Sequence, residues 1–310
     1  MPYNVLCLDG GGIKGVITAV LLQRLVQNAG GQGFLEHVHF VAGTSTGGLI
    51  ALAIAAGKSV AEIRALYGTK GPEIFADSLL DDVKDVGKLL GADYSLTNLE
   101  KILKGILGEA TTLGDLKKRV LLTTFDLDNE SKVASERRWK PKLFHNFPGT
   151  DSDAAAAAYK VGLYTCAAPT YFPTADGYID GGVFAPNPSM CALAQTQDRR
   201  TGVHVPLADV RLLSLGTGQS QLRLEGARHD WGYAAWAPPL LDILFDGVTG
   251  IADFQCEQML REKYHRLAPV FPENVKFGMD DVDKVDDMIR FAERVDLTAT
   301  SKWLATHWNT

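Results

Sequence analysis

The strongest constraint on the fold is a pattern that occurs twice near the start of the chain: a short apolar run, a glycine-rich turn, then a helical run. Tyr3 to Leu8 (YNVLCL) stops at Asp9 and three glycines, and Val16, Val20, Leu21 and Leu25 then recur at helical spacing within Gly15 to Gln27. Val38 to Ala42 stops at Gly43-Thr44-Ser45-Thr46-Gly47-Gly48, and a second helix is expected from Leu49 to Ala56. An apolar run without polar alternation is a strand covered on both faces, and strands separated by helices pair in parallel. The expected class is therefore α/β with a mostly parallel central sheet.

The rest of the chain extends this reading. Residues 60 to 118 read as amphipathic helices covering the sheet, with Thr97-Asn98-Leu99-Glu100 as a capping box ahead of LEKILKGIL. Arg119 to Phe125 is a third buried strand, followed by a polar hairpin or loop from Asp126 to Glu136. Asp126, Asp128 and Glu130 are spaced like a loose metal loop, but they lack the glycine and distal glutamate of a calcium site; a solvated turn is the reading. An Ala-rich helix is expected over Asp151 to Leu163, capped by Ser152 or Asp153, and a strand over Leu212 to Leu215. The C-terminal third reads as mainly helical, with a long amphipathic helix from Ile251 to Tyr264. The chain is read as one domain, 1–310, with a motif-bearing core over about 3–260 and a helical C-terminal region over about 261–310.

Composition narrows the function classes. Hydrophobic residues make up 46% and charged residues 22%, as in ordinary globular proteins, and the formal net charge is −6. That charge argues against a nucleic-acid surface, and against binding an anionic membrane by charge alone. Cys7, Cys166, Cys191 and Cys256 are scattered without CxxC spacing and read as reduced core thiols. The N-terminus lacks the pattern of a secretory signal and no apolar run is long enough to span a membrane, so a soluble cytoplasmic protein is expected.

Gly10-Gly11-Gly12-Ile13-Lys14-Gly15 follows a strand and opens a helix, which matches a dinucleotide-binding loop. Such a site wants an acid at the end of the second strand; Glu36 precedes that strand, and the strand ends in GTSTGG instead. Successive amides at a helix N-terminus also suit an oxyanion or a phosphate, and the loop is equally readable as tight strand-to-helix packing. Gly43-Thr44-Ser45-Thr46-Gly47 is a G-x-S-x-G on a strand-to-helix turn, the setting of a nucleophile elbow. None of the seven histidines, His37, His39, His145, His204, His229, His265 and His307, sits in a turn that would aim it at a site; His265 reads as part of a charged helix. Asp180 lies in YIDGGVF, where apolar neighbours would raise its pKa and make it a better base. An Asp-Gly-Gly turn between strands is the plain structural alternative.

Together these segments resemble the patatin-like phospholipase family. Its Asp-Gly-Gly-Gly-x-(Arg/Lys)-Gly pattern is matched by Asp9 to Gly15, its Gly-x-Ser-x-Gly by Gly43 to Gly47, and its Asp-Gly-(Gly/Ala) by Asp180, Gly181 and Gly182. AAPTYFP at 167–173 and LSLGTG at 213–218 are similar as well. The resemblance runs from residue 3 to about 260, and the last 50 residues match no motif.

The resemblance implies a three-layer α/β/α sandwich and a lipid acyl hydrolase that uses a Ser-Asp dyad without histidine. Ser45 would be the nucleophile, Asp180 its base, and the amides of Gly10, Gly11 and Gly12 the oxyanion hole, with no metal and no cofactor. Asp9, Gly15, Gly43, Gly47, Gly181 and Gly182 would support the motifs. Lys14 would set the loop, meet a phosphate head group, or be a solvated helix lysine. The implied partner is a phospholipid or lysophospholipid, with peripheral contact to a membrane or micelle and no nucleic acid. Walls for acyl chains are expected around Thr170 to Phe172 and the 70–110 helices. Trp231, Tyr233 and Trp236 would either insert at a lipid interface or pack as an ordinary aromatic cluster. An acyltransferase or a non-phospholipid carboxylesterase would use the same site; a nucleotide- or phosphate-binding protein is the alternative from another class.

Overall fold

The computed structural model describes residues 2–28, 33–74, 94–201, 203–224 and 232–308. Five strands run in parallel: β1 (Tyr3–Leu8), β2 (Phe40–Thr44), β3 (Arg119–Asp126), β6 (Val210–Leu215) and β7 (Tyr264–Leu267). Two antiparallel strands complete the sheet, β4 (Lys140–His145) and β5 (Tyr178–Asp180), both on β3. The strand order is β4-β3-β2-β1-β6-β7.

Apolar residues of the central strands alternate between two packed layers. Leu6, Leu8, Val41, Leu122, Leu213 and Leu215 join a cluster with α1 (Gly15–Gln27), α2 (Thr46–Ala55), α4 (Leu96–Leu107) and α5 (Ala158–Cys166). Val5, Cys7, Phe40, Ala42, Leu121 and Leu212 join a second cluster with α6 (Ser189–Thr196) and α7 (Tyr233–Leu260). The uninterrupted apolar runs in the sequence thus serve both faces of one sheet, the middle layer of a three-layer sandwich.

Several boundaries differ from expectation, each for a local reason. α2 starts at Thr46 rather than Leu49, because Leu49 N–H already bonds the carbonyl of Ser45. α4 is capped by Ser95, whose hydroxyl accepts from Thr97 N–H at 3.2 Å, so the cap lies two residues before the expected box. The Ala-rich helix begins only at Ala158. Ahead of it, Ala157 bridges to Thr112, while the Asp153 carboxylate binds Lys142 and the backbone of His145. Tertiary hydrogen bonds there outweigh the helix preference of alanine. Of the expected 60–118 helices, α3 covers Val60–Ile74 and α4 follows at Leu96; residues 75–93 lie outside the described residues.

The C-terminal region corrects the sequence reading most. The helix expected over Ile251 to Tyr264 starts earlier, at Tyr233, and ends at Leu260, and the segment beyond it is β7. His265 therefore stands on a strand, where its Nε2 meets Thr300 at 2.9 Å and its ring stacks on Trp303. α8 (Val285–Arg294) then packs on α1 and α9 (Thr298–His307) on β7, with Trp308 N–H bonded to Leu304 and its indole to the carbonyl of Phe34. The acidic stretch after β3 is a hairpin turn into β4, and Asp128 pairs with Arg137. All four cysteines are free, and three of them are buried.

Candidate active site

Ser45 occupies the residue between β2 and α2, with φ 53° and ψ −125°. A non-glycine residue in that region is strained, and an L side chain held there projects away from both flanking elements. Ser45 stands at the N-cap position, yet its side chain makes no capping hydrogen bond, so the hydroxyl is free for other partners. Gly47 explains the small neighbours: a Cβ there would lie 2.5 Å from the carbonyl oxygen of Asp9. The elbow is fastened from below, because Ser45 N–H donates to Thr165 Oγ1 at 2.9 Å and Thr165 donates on to Thr123 O at 2.7 Å. Thr44 Oγ1 donates to Ala185 O, and Tyr67 OH donates to Thr46 O. Thr165→Val would strand the Ser45 amide. The expected cost is about 1–3 kcal/mol in unfolding free energy, read from urea titration, with a matching loss of reactivity at Ser45.

The register of β3 explains how Asp180 reaches Ser45 from 135 residues away. Along one edge of β3, Thr123 pairs with Thr44, the last residue of β2. The next residue, Thr124, pairs with Asp180, the last residue of β5, which arrives from the opposite direction. Two strands thus meet end to end on one edge, since β4 holds the other. Asp180 is 5% exposed, its Oδ1 accepts from Gly182 N–H at 2.7 Å, and it lines one cavity with Ser45. Burial pushes its pKa up to about 7, against the opposing pull of Ser45 and Gly182. Cys166 lines the same cavity as Ser45. Burial holds its thiol well above the usual cysteine range, in its neutral form.

The glycine loop packs directly on the elbow, with the Cβ position of Gly10 3.4 Å from Ser45 Cβ. One expected oxyanion donor needs correction. Gly10 N–H already donates to Pro186 O at 2.9 Å, because the turn after Asp180 brings that carbonyl under the loop. Among the described residues no protein acceptor pairs with the amides of Gly11 and Gly12, and both glycines line the cavity with Ser45. Gly12 has φ 60°, and any Cβ on it would collide with the Met279 carbonyl. Ile13 N–H donates to that same carbonyl at 2.8 Å, which anchors the start of α1. Asp9, the first residue of the loop, is gripped by Arg266 of β7 in a two-pronged pair, with Nη2 to Oδ2 at 2.5 Å and Nη1 to Oδ1 at 3.3 Å. Arg266 Nη1 also donates to Ser214 Oγ at 2.7 Å.

Ser45, Asp180, Gly10, Gly11, Gly12, Asp9, Lys14 and Gly182 share one cavity of about 520 Å³. Gly15, Gly43 and Gly181 do not line it; they pack against Thr46, Gly47 and Thr123 behind it. Apolar walls come from Leu49, Leu99, Phe172 and Val183, which includes the expected Thr170–Phe172 segment. Lys14 faces Asp246, Asp242 and Asp281, and burial holds its pKa down. No histidine is among the lining residues described, and His229 lies outside the described residues. His39 accepts from Asn4 N–H, and His145 packs on Phe147. Sequence reasoning missed Thr165, Cys166, Arg266, Asp242 and Asp246. Cys166 and Thr165 precede the AAPTYFP segment directly, so proximity to a motif was the available signal; the others carried none.

Comparison with known proteins identifies the family of the chain. The family model described as patatin-like phospholipase matches residues 6–193. The cGAMP-activated phospholipase of Pseudomonas aeruginosa is 30% identical over 86% of this chain and 78% of its own length. The 85/88 kDa calcium-independent phospholipase A2 of Rattus norvegicus is 30% identical over 70% of this chain but only 27% of its own length. Among solved structures, the ExoU–SpcU complex of the Pseudomonas aeruginosa type III secretion system aligns with 100% of this chain and 52% of its own. Identity there is 15% and the TM-score 0.45. With more than half of the chain inside the family model and the three motifs gathered at one cavity, the chain belongs to the patatin-like phospholipase family.

Proposed function

We propose that the protein is a lipid acyl hydrolase that cleaves fatty-acyl esters of phospholipids through an acyl-Ser45 intermediate. Family membership supports lipid-ester hydrolysis, and the observation that carries the finer reading is that the strained Ser45 and the buried Asp180 line one cavity beside the Gly11 and Gly12 amides. In its ionised form Asp180 takes the Ser45 proton as the hydroxyl attacks the ester carbonyl. The amides of Gly11 and Gly12 then receive the developing oxyanion, a role their free N–H groups and the positive end of α1 suit. The alcohol leaves with the proton from Asp180. Water enters, Asp180 deprotonates it, and the fatty acid is released. The apolar wall around Leu49, Leu99 and Phe172 is suited to an acyl chain.

Peripheral contact with a membrane or micelle belongs to the same reading. No described helix is long and apolar enough to cross a membrane. α7 exposes Ile243, Leu244, Ile251 and Phe254 while other residues of that helix line the cavity. Of the aromatic residues first considered for this contact, Trp236 is half-buried, and Trp231 and the Tyr233 side chain lie outside the described residues. A fluorophosphonate probe tests the dyad: it should label Ser45, and each of the seven His→Ala variants should still be labelled. A folded histidine variant that reacts no faster than Ser45→Ala would refute the dyad in favour of a triad.

A further inference from the structure

α7 lays one face along the catalytic cavity. Asp242, Phe245, Asp246 and Thr249, at i, i+3, i+4 and i+7, line the catalytic cavity. Asp242 and Asp246 are also exposed, as are the apolar Leu240, Ile243, Leu244, Ile251 and Phe254. The two carboxylates thus stand at the solvent-open side of the cavity, where a polar head would sit. Of the two cationic side chains lining this cavity among the described residues, Arg266 is taken up by Asp9. The other, Lys14, feels Asp246 and Asp242 more strongly than any other carboxylate. One ammonium beside two carboxylates does not suit an isolated phosphate. It matches a head in which a phosphate is tethered to a positive group: Lys14 meets the phosphate, and Asp242 and Asp246 meet the cation.

Resting on the phospholipid reading above, we infer that Asp242 and Asp246 select lipids whose polar head carries an ammonium group over lipids with a net anionic head. Phosphocholine and phosphoethanolamine esters are the favoured class, and phosphoglycerol esters the disfavoured one.

The test uses monomeric short-chain lipids, so that the charge of a bilayer surface plays no part. The Ser45→Ala protein is titrated with dihexanoyl phosphatidylcholine and with dihexanoyl phosphatidylglycerol at low ionic strength. About fivefold tighter binding of the choline lipid is expected, and salt should shrink the ratio. Adding Asp242→Asn and Asp246→Asn should bring the ratio close to one, with thermal unfolding checked to show that the helix is intact. Equal or tighter binding of the glycerol lipid by the Ser45→Ala protein would overturn the inference. So would an unchanged ratio in the Asn variants. Wild-type turnover of uncharged p-nitrophenyl butyrate reports separately on the hydrolase reading. Ester hydrolysis without head selectivity sinks only the inference, and selective binding without any hydrolysis sinks only the reaction.

Discussion

Replacing Asp180 by Asn is expected to cut kcat/KM for an acyl ester by roughly 10²- to 10⁴-fold, the usual worth of a positioned general base. The same change should raise the melting temperature at pH 8. Asn keeps an oxygen for the Gly182 amide but cannot take the Ser45 proton. Burial raises the Asp180 pKa to about 7, so the wild-type kcat/KM should climb with pH and level off above that value. Below it the carboxyl is protonated and the base is lost. The stability effect has the opposite direction. A carboxyl whose folded pKa lies above its unfolded value stabilises the fold fully at low pH, and that contribution drains away as pH rises through about 7. At pH 8 the wild type therefore carries a buried charge that Asn lacks, a difference of the order of a few kcal/mol. Thermal melts of both proteins from pH 4 to pH 8 should diverge as pH increases. Parallel curves, or a kcat/KM profile flat through pH 7, would remove Asp180 from the role of base.

Arg266→Met should damage both stability and reactivity. Asp9 and Arg266 side chains are each only 8% exposed, so removing the guanidinium leaves a buried carboxylate without its paired counter-charge and with only the weaker pull of Lys14. Such losses cost about 3–5 kcal/mol. Arg266→Lys should recover only part of this, since an ammonium cannot bridge both Asp9 oxygens and Ser214. Asp9 N–H bonds Leu215 and Asp9 begins the glycine loop, so the displaced carboxylate should also disturb the Gly11 and Gly12 amides. The expected signature is a fall in kcat/KM that persists at temperatures where the variant is fully folded. Combining Asp9→Asn with Arg266→Met should restore part of the stability, because the orphaned charge is gone. A double variant as unstable as the single one would show that packing, not charge, ties β7 to the loop.

Much of the fold was legible wherever local chemistry is strong. The bounds of β1 and α1 follow from an apolar run, a glycine break and a 3.6-residue period, all short-range signals. The strand after Tyr264 was not legible. KYHRL carries charges at helical spacing, and only pairing with β6 and burial of Tyr264 and Leu267 make it a strand. The Ala-rich segment before Ala158 failed for a similar reason, since backbone partners supplied by β4 and the turn after α4 outbid a weak local preference.

For the candidate site, the residue types and their glycine settings could be read from the chain alone: a serine on a strand-to-helix turn, an aspartate among apolar neighbours, and a run of amides at a helix start. Those are properties of a few adjacent residues, which is why sequence sufficed. What only the tertiary structure decided is which groups meet. The register of β3 joins Ser45 to Asp180, and Pro186 withdraws the Gly10 amide from service. Arg266 clamps Asp9 from a strand that sequence read as helix, and α7 brings two carboxylates to the mouth of the cavity. Each of these is a contact between segments far apart in the chain, fixed by sheet pairing and burial, and no local pattern of residues encodes it.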